Sequence, residues 1–150
     1  MWSFDTRTLL PISSREHADH NIPYTVTRAL LNGEVTEHDF EENRFRDPES
    51  LTFMKKITLR FDRTLSDTEL GARMKVTLRS GQSYRTDVPI PPGHMRNPAD
   101  DASLEKKFID LSKGILGRAR AEKAIETILS LNTMADLENL VGALTPSNRG

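Results

Sequence analysis

The chain has 150 residues, a formal net charge of -1 and no cysteine. Without a basic excess it lacks the electrostatic footprint for a phosphate backbone or an anionic membrane surface, so neither nucleic acid nor membrane is expected as a partner. The lack of cysteine excludes disulfides, thiol catalysis and cysteine-ligated metal sites, and any chemistry must use oxygen and nitrogen groups.

The length favours one compact domain over residues 1–150. The first residues lack the basic and then apolar pattern of a signal peptide, and no apolar run approaches the roughly 20 residues of a membrane span, so a cytoplasmic location is expected. Residues 1–13 show no firm hydrophobic period, which predicts an irregular lead-in. A frayed tail is predicted at residues 145–150.

Helix signals follow the lead-in. Pro23 suits the first turn of a helix and Gly33 suits the residue after a helix, which together predict a helix over residues 23–32. The apolar residues that share a face of this helix are Val26, Ala29 and Leu30.

Two short helices are predicted next, at about residues 37–44 and 48–55. Thr36 with Asp39 three residues later resembles a capping box at the start of the first. Asp47 followed by Pro48 is an N-cap with a proline at the first helical position, which marks the start of the second.

The hydrophobic period then changes to two, which is typical of half-buried strands. Three segments show it, at residues 57–61, 74–78 and 84–88. Ser80-Gly81 lies between the last two and is a hairpin signal, because glycine accepts a positive φ. One face of the sheet should be apolar and the other charged.

Helical spacing returns after a proline-rich loop. It predicts a helix from about Leu104 to Ile115 that stops near Gly117, another over residues 121–129, and a last one from Leu137 to Leu144. Helices thus precede and follow three strands, a segregated order that predicts an α+β fold with a three-stranded antiparallel sheet packed with helices.

The densest group of titratable side chains lies between Arg15 and Tyr24 and includes two histidines and two carboxylates. Arginine and protonated histidine hold carboxylates, while histidine and tyrosine can act as acid or base, so the group suits a di- or tricarboxylate and proton transfer on it. His17 and His20 lie three residues apart, but no second ligand cluster accompanies them and no metal site is predicted.

Structural roles remain open for each of these side chains. Tyr24 could be a boundary tyrosine with its ring in the core and its hydroxyl in water. His20 could satisfy local backbone groups, and Arg15 could pair with Glu16 or Asp19.

A second candidate segment is the loop at residues 93–98. Its cationic or polar heads are His94, Arg96 and Asn97. A guanidinium matches a substrate carboxylate in geometry, although Arg96 could equally pair with Asp100 or Asp101.

Four sequence blocks resemble the carboxy-terminal domain of the MmgE/PrpD family of 2-methylcitrate dehydratases and cis-aconitate decarboxylases. They are ADHNIPY at residues 18–24, ALLNGEVT at 29–36, GHMRNP at 93–98 and EKKF at 105–108. The resemblance covers roughly residues 14–144. It differs mildly at Asn21-Ile22, where serine and leucine are commoner in the family.

The resemblance implies a small α+β domain that follows a larger helical domain, with the active site between the two. It implies enzymes that are free of metal and cofactor, are commonly dimers, and act on small polycarboxylates by dehydration, decarboxylation or epimerisation. The family's lysine and several of its histidines belong to the helical domain. Tyr24 matches the family's tyrosine and is the principal catalytic residue that the resemblance implies. His20 is a weaker catalytic candidate. The expected substrate-binding residues are Arg15, His94, Arg96 and Asn97.

Three hypotheses follow. The chain is a small domain or subunit of a polycarboxylate lyase whose site is completed by a helical domain or subunit. Alternatively, it is a complete small homodimeric lyase or epimerase, although a small domain has little to exclude water from a base. The third hypothesis is a non-catalytic binding or assembly module, which a large exposed apolar patch would indicate.

Overall fold

The computed structural model describes residues 3–4, 11–65 and 70–146. The chain forms two compact units, unit 1 (Met1–Thr64) and unit 2 (Leu65–Gly150), each of which is described by itself. Helices and short antiparallel strands occur together, so the predicted α+β class is confirmed. The single domain over residues 1–150 stays a prediction, and most of the predicted lead-in and tail, at 1–2, 5–10 and 147–150, lies outside the described residues.

Unit 1 consists of short helices and one small pair of strands. Its elements are β1 (Ser3–Phe4), α1 (Arg15–Asp19), α2 (Ile22–Asn32), a 3-10 helix (Glu37–Phe40), α3 (Glu42–Phe45), α4 (Pro48–Met54) and β2 (Leu59–Arg60). β1 pairs antiparallel with β2, with Phe4 opposite Leu59.

Local signals place both ends of α2. The Asn21 side chain accepts a hydrogen bond from the Tyr24 N–H at 3.0 Å, which satisfies one of the free donors of the first turn. Gly33 ends the helix at φ 82°, and its N–H donates to the Ala29 carbonyl at 2.9 Å. The helix predicted for residues 23–32 is confirmed to within one residue.

The segment after α2 follows the predicted caps but divides. The Asp39 carboxylate accepts from the Thr36 N–H at 2.7 Å, as the capping-box spacing predicts. Glu41 is extended, so the helix predicted at 37–44 is instead the 3-10 helix followed by α3. Asp47 caps α4 by accepting from the Ser50 N–H at 2.9 Å.

The core of unit 1 is small and contains one aromatic pair. The rings of Tyr24 and Phe40 meet edge to face with centroids 6.1 Å apart. The buried apolar side chains of this core are Ile12, Ala18, Tyr24, Phe45 and Met54.

The buried face of α2 is not the one that its apolar residues predict. Leu30 is exposed and Val26 and Ala29 are half-buried. The face that is buried instead carries Pro23, Tyr24, Thr27 and Arg28. A hydrophobic period cannot identify such a face, because it does not register a charge whose counter-ion lies elsewhere in the sequence.

Unit 2 consists of a hairpin followed by three helices. Its elements are β3 (Ala72–Thr77), β4 (Ser83–Val88), α5 (Asp101–Leu116), α6 (Arg118–Leu129), a 3-10 helix (Leu131–Thr133) and α7 (Glu138–Leu144). Gly81 has φ 89°, which confirms the predicted position of the turn between β3 and β4.

The predicted three-stranded sheet is not shown in the described residues. β3 and β4 form a two-stranded antiparallel sheet. The strand predicted at 57–61 is reduced to Leu59–Arg60 and pairs with β1 in unit 1. Alternating hydrophobicity predicts that a segment is extended, but the partner of a strand depends on residues distant in sequence.

The helices of unit 2 pack in sequence order, α5 on α6 and α6 on α7. In the part of unit 2 that the structure describes, the buried residues are small and all lie on α6: Ala121, Ala124 and Thr127. Large apolar side chains are exposed on the same helices, namely Leu104, Leu111, Ile115, Leu129, Val141 and Leu144. Among the described residues no helix has both the length and the apolar character needed to cross a bilayer.

Candidate functional site

A buried ion pair joins α2 to the 3-10 helix of unit 1. The Arg28 Nε lies 2.7 Å from the Asp39 Oδ1, and the two side chains are only 8% and 4% exposed. The same guanidinium donates from Nη1 to the Ser50 hydroxyl of α4 at 3.0 Å. One charged side chain therefore links three helices.

The Asp39 carboxylate is fully engaged as an acceptor. Its Oδ1 also accepts from the Asn32 amide at 3.0 Å, and its Oδ2 accepts from the Thr36 N–H and hydroxyl at 2.7 and 3.0 Å. Burial raises the pKa of Asp39, but the hydrogen bonds from the Thr36 backbone and the Arg28 side chain outweigh it, so the pKa lies below its usual range. Asp39 is therefore ionised at neutral pH and balances the charge of Arg28.

Tyr24, the principal catalytic candidate, is fully buried beside this pair. Its hydroxyl donates to the Asp39 backbone carbonyl. Burial raises the pKa of Tyr24 to about 12, so the phenol stays protonated and acts as a donor. In this arrangement the hydroxyl supports the 3-10 helix, and the catalytic role of Tyr24 stays a prediction.

His20 and Arg15 lie on the surface of unit 1. The His20 side chain is 82% exposed, and its Nδ1 is 2.9 Å from the Glu16 carbonyl of α1, so this nitrogen serves the backbone. Arg15 Nη2 lies 2.6 Å from Glu37 Oε1 in the 3-10 helix. Among the described residues its ion pair is thus with Glu37 rather than with the Glu16 or Asp19 considered from the sequence.

Two open depressions adjoin each other on unit 1. The first, of about 370 Å³, is lined by Ser13, Ser14, Arg15, Phe40, Glu41, Glu42 and Phe45. The second, of about 490 Å³, shares two of these residues and is lined by Pro11, Ile12, Ser13, Phe45, Arg46, Leu51 and Lys55. Arg15 is the sequence-predicted site residue that lines the first depression.

The loop at 93–97 in unit 2 is a compact turn. The Gly93 N–H donates to the Asn97 carbonyl at 2.8 Å, and the Asn97 N–H donates to the His94 carbonyl at 2.8 Å. The His94 Nδ1 accepts from the Arg96 N–H at 3.1 Å, and the Asn97 amide donates to the Ile90 carbonyl at 3.0 Å. These polar side chains stabilise the loop that carries them, while the Arg96 side chain is exposed.

The predicted site residues thus fall into two groups. Arg15, His20 and Tyr24 belong to unit 1, and His94, Arg96 and Asn97 belong to unit 2. Arg28 and its ion pair are not among the residues predicted from the sequence. The available signals were the spacing of Tyr24 and Arg28, which lie four residues apart on one helical face, and a capping-box aspartate within reach of that face. The described residues contain no group of three histidine or carboxylate side chains placed to hold a metal ion.

Comparison with known proteins agrees with the resemblance in the sequence blocks. Human cis-aconitate decarboxylase is 27% identical over 136 residues, which are 89% of this chain and 28% of the relative. Mouse cis-aconitate decarboxylase is 26% identical over 137 residues, with the same coverage. A 2-methylcitrate dehydratase-like protein, oryR, of Aspergillus oryzae is 27% identical over 129 residues, 79% of this chain and 26% of the relative.

The chain therefore spans just over a quarter of the length of these relatives. The sequence model of the MmgE/PrpD C-terminal domain matches residues 4–133, most of the chain. That match covers most of unit 1, the part of unit 2 that precedes α7, and all six predicted site residues. On this evidence the chain belongs to the MmgE/PrpD family and corresponds to its C-terminal domain.

Proposed function

We propose that this chain is the small-domain part of a lyase that acts on small polycarboxylates of the cis-aconitate or 2-methylcitrate type without a bound metal. The observation that carries the proposal is the family match over residues 4–133. It is supported by relatives named as a decarboxylase and a dehydratase-like protein. Both names imply chemistry that needs acid and base groups beside a bound carboxylate.

The surface of unit 1 offers groups suited to such a site. Arg15 is more than half exposed and lines a depression, so its guanidinium could exchange Glu37 for a substrate carboxylate. The exposed ring of His20 presents Nε2 as an acid or base. A direct role for Tyr24 requires its hydroxyl to exchange the Asp39 carbonyl for substrate.

A helical domain is the proposed partner, either elsewhere in the same polypeptide or in a second subunit. The chain spans 28% of the human relative, and the family resemblance implies that further acid and base residues come from a helical domain. His94, Arg96 and Asn97 are proposed to contact substrate in the completed site. A homo-oligomer is proposed because the family resemblance implies one.

The test is turnover of cis-aconitate and, separately, 2-methylcitrate, followed by the ultraviolet absorbance of the carbon-carbon double bond. The purified chain is assayed alone and together with the family's helical domain from the same source. We expect turnover only from the combination. Turnover by the chain alone would support the complete homodimeric lyase or epimerase, and a folded, bound combination without turnover on either substrate would reject the proposal.

A second candidate is a non-catalytic binding or assembly module. It is favoured by the apolar side chains exposed on α5, where Leu111 and Ile115 are 53% and 66% exposed. Replacing both by glutamate separates the two candidates. Sedimentation measures association with the helical domain. If the chain is a lyase domain, the double variant loses both association and turnover. If it is a non-catalytic module, the wild-type combination already has no turnover and the variant loses association alone.

A further inference from the structure

The hairpin of unit 2 presents a polar face built from three cross-strand pairs. Alternate residues of β3 and β4 share a face of a sheet, and the register places Arg73 opposite Asp87, Lys75 opposite Arg85, and Thr77 opposite Ser83. The hairpin is exposed along both strands, with only Val76 half-buried. The six residues of these pairs are called the hairpin polar face.

The middle pair of the hairpin polar face consists of two cations. Cβ atoms of residues directly opposite each other lie about 4.5–5.5 Å apart, a distance at which like charges destabilise a hairpin. Lys75 and Arg85 have no ion-pair partner in the part of the chain that the structure describes. The nearest carboxylate on the face, Asp87, is held by Arg73 at 2.8 Å.

A pair of hydroxyls lies beside the two cations. Thr77 Oγ1 and Ser83 Oγ are 2.9 Å apart, so one donates to the other and the accepting hydroxyl keeps its own proton for a further acceptor. Each pair lies about 6.5–7 Å from the next along the strands. The register therefore places the two cationic residues next to a pair with a spare O–H donor, and the face carries a net positive charge.

We propose that the hairpin polar face is a binding site for a small polycarboxylate. One carboxylate of the ligand lies between Lys75 and Arg85 and removes their repulsion, with the guanidinium able to hold it in bidentate geometry. A second carboxylate accepts from the hydroxyl pair of Thr77 and Ser83. The overall charge of -1 gives the chain no long-range attraction for a polyanionic macromolecule, which favours a small ligand.

The choice of a polycarboxylate rests on the proposed function, whereas the cation pair and the hydroxyls do not. The probe is therefore tricarballylate, a saturated tricarboxylate with no hydroxyl to eliminate and no double bond, titrated into the full chain at low ionic strength. Amide chemical shifts measured by NMR report both affinity and location. The titration needs no helical partner and no turnover, so its failure is separate from a failure of the proposed function.

Lys75→Glu is the informative variant, because it converts the like-charge pair into an ion pair with Arg85 and should preserve the hairpin. Lys107→Glu is the matched control, since it makes the same charge change at an exposed position on α5. We expect saturable shifts centred on β3 and β4, at least tenfold weaker binding in Lys75→Glu, and wild-type binding in Lys107→Glu.

Three results would overturn the proposal. They are an absence of saturable binding by the wild-type chain, an equal loss of affinity in both variants, and shifts centred outside the hairpin. Inorganic phosphate is titrated in parallel. Phosphate that binds as tightly as tricarballylate would overturn the polycarboxylate assignment, because a single oxyanion would then satisfy the whole site.

Discussion

The buried ion pair of unit 1 makes Asp39→Asn the most informative substitution. The carboxylate offers only acceptors, and two pairs of donors face it, one from Arg28 and Asn32 and the other from Thr36. An asparagine must turn its NH₂ group toward one of these pairs. It also removes the carboxylate that contacts the guanidinium of Arg28, which is 8% exposed, and leaves the Asp47 carboxylate to act on that charge from a greater distance.

The expected loss in the free energy of unfolding follows from this burial. Removing one partner of a buried ion pair destabilises a protein by about 3–5 kcal/mol. For a urea m-value of about 2 kcal/mol per M, a loss of about 4 kcal/mol lowers the unfolding midpoint by about 2 M. Total stabilities of about 5–15 kcal/mol are usual, so this loss removes between about a quarter and four fifths of the free energy of unfolding.

Glu37→Gln is the matched control, because Glu37 lies two residues away in the same 3-10 helix and also pairs with an arginine. Its pair with Arg15 is more than half exposed, and such pairs contribute about 0–1 kcal/mol. Urea unfolding followed by far-ultraviolet circular dichroism compares the two variants with the wild type. A difference between the variants of less than about 1 kcal/mol would refute the reasoning that burial makes the Arg28–Asp39 pair decisive.

The difference in stability between the wild type and Asp39→Asn should depend on pH. The pKa of Asp39 in the folded chain lies below its ordinary value of 3.8, so the stability it contributes is fully present above that value. This contribution is lost as the pH falls through the lower folded pKa. The gap in stability between wild type and Asp39→Asn should therefore narrow below pH 3.8, and a gap that widens there would contradict the direction of the shift.

Three further substitutions test other parts of the structure. Tyr24→Phe leaves the Asp39 carbonyl without its donor and should lower the free energy of unfolding by about 1–3 kcal/mol. In the wild type this contribution is full below pH 10 and declines as the pH rises toward the Tyr24 pKa of about 12. A variant as stable as the wild type at neutral pH would contradict the contact. Gly71→Ala places a Cβ 2.6 Å from the Pro89 carbonyl oxygen and should destabilise the hairpin by about 1–3 kcal/mol in thermal unfolding. Gly114→Ala in α5 meets open space and should stabilise by about 0.5–1 kcal/mol, and a loss there would show an unrecognised contact.

Short-range chemistry allowed much of the helical structure to be predicted. Gly33 and the dipeptide Asp47-Pro48 each act on the few residues beside them, and both mark helix boundaries as expected. Gly81 acts in the same way at the hairpin turn. Such residues are informative because their effect on the backbone does not depend on the rest of the fold.

Features that depend on distant partners were not predictable in the same way. In a helical pattern an arginine such as Arg28 is expected to be exposed. It is buried here beside Asp39, which lies eleven residues later in the sequence and accepts a hydrogen bond from it. Likewise, the strand around Leu59 pairs with residues near the start of the chain. The family motif singles out Tyr24, but a motif does not distinguish a hydroxyl that contacts substrate from one that supports a backbone carbonyl.

The small interior of unit 2 has a consequence for its motions. Methyl groups of Ala121 and Ala124 bury little apolar surface, so separating α5 or α7 from α6 exposes little to water and costs correspondingly little free energy. The amide hydrogens of α5 and α7 should therefore exchange with solvent through local openings, while those of α2, anchored by Arg28, exchange in larger and rarer events. A binding partner that covers these helices would be detected first as slowed exchange, before any change in secondary structure.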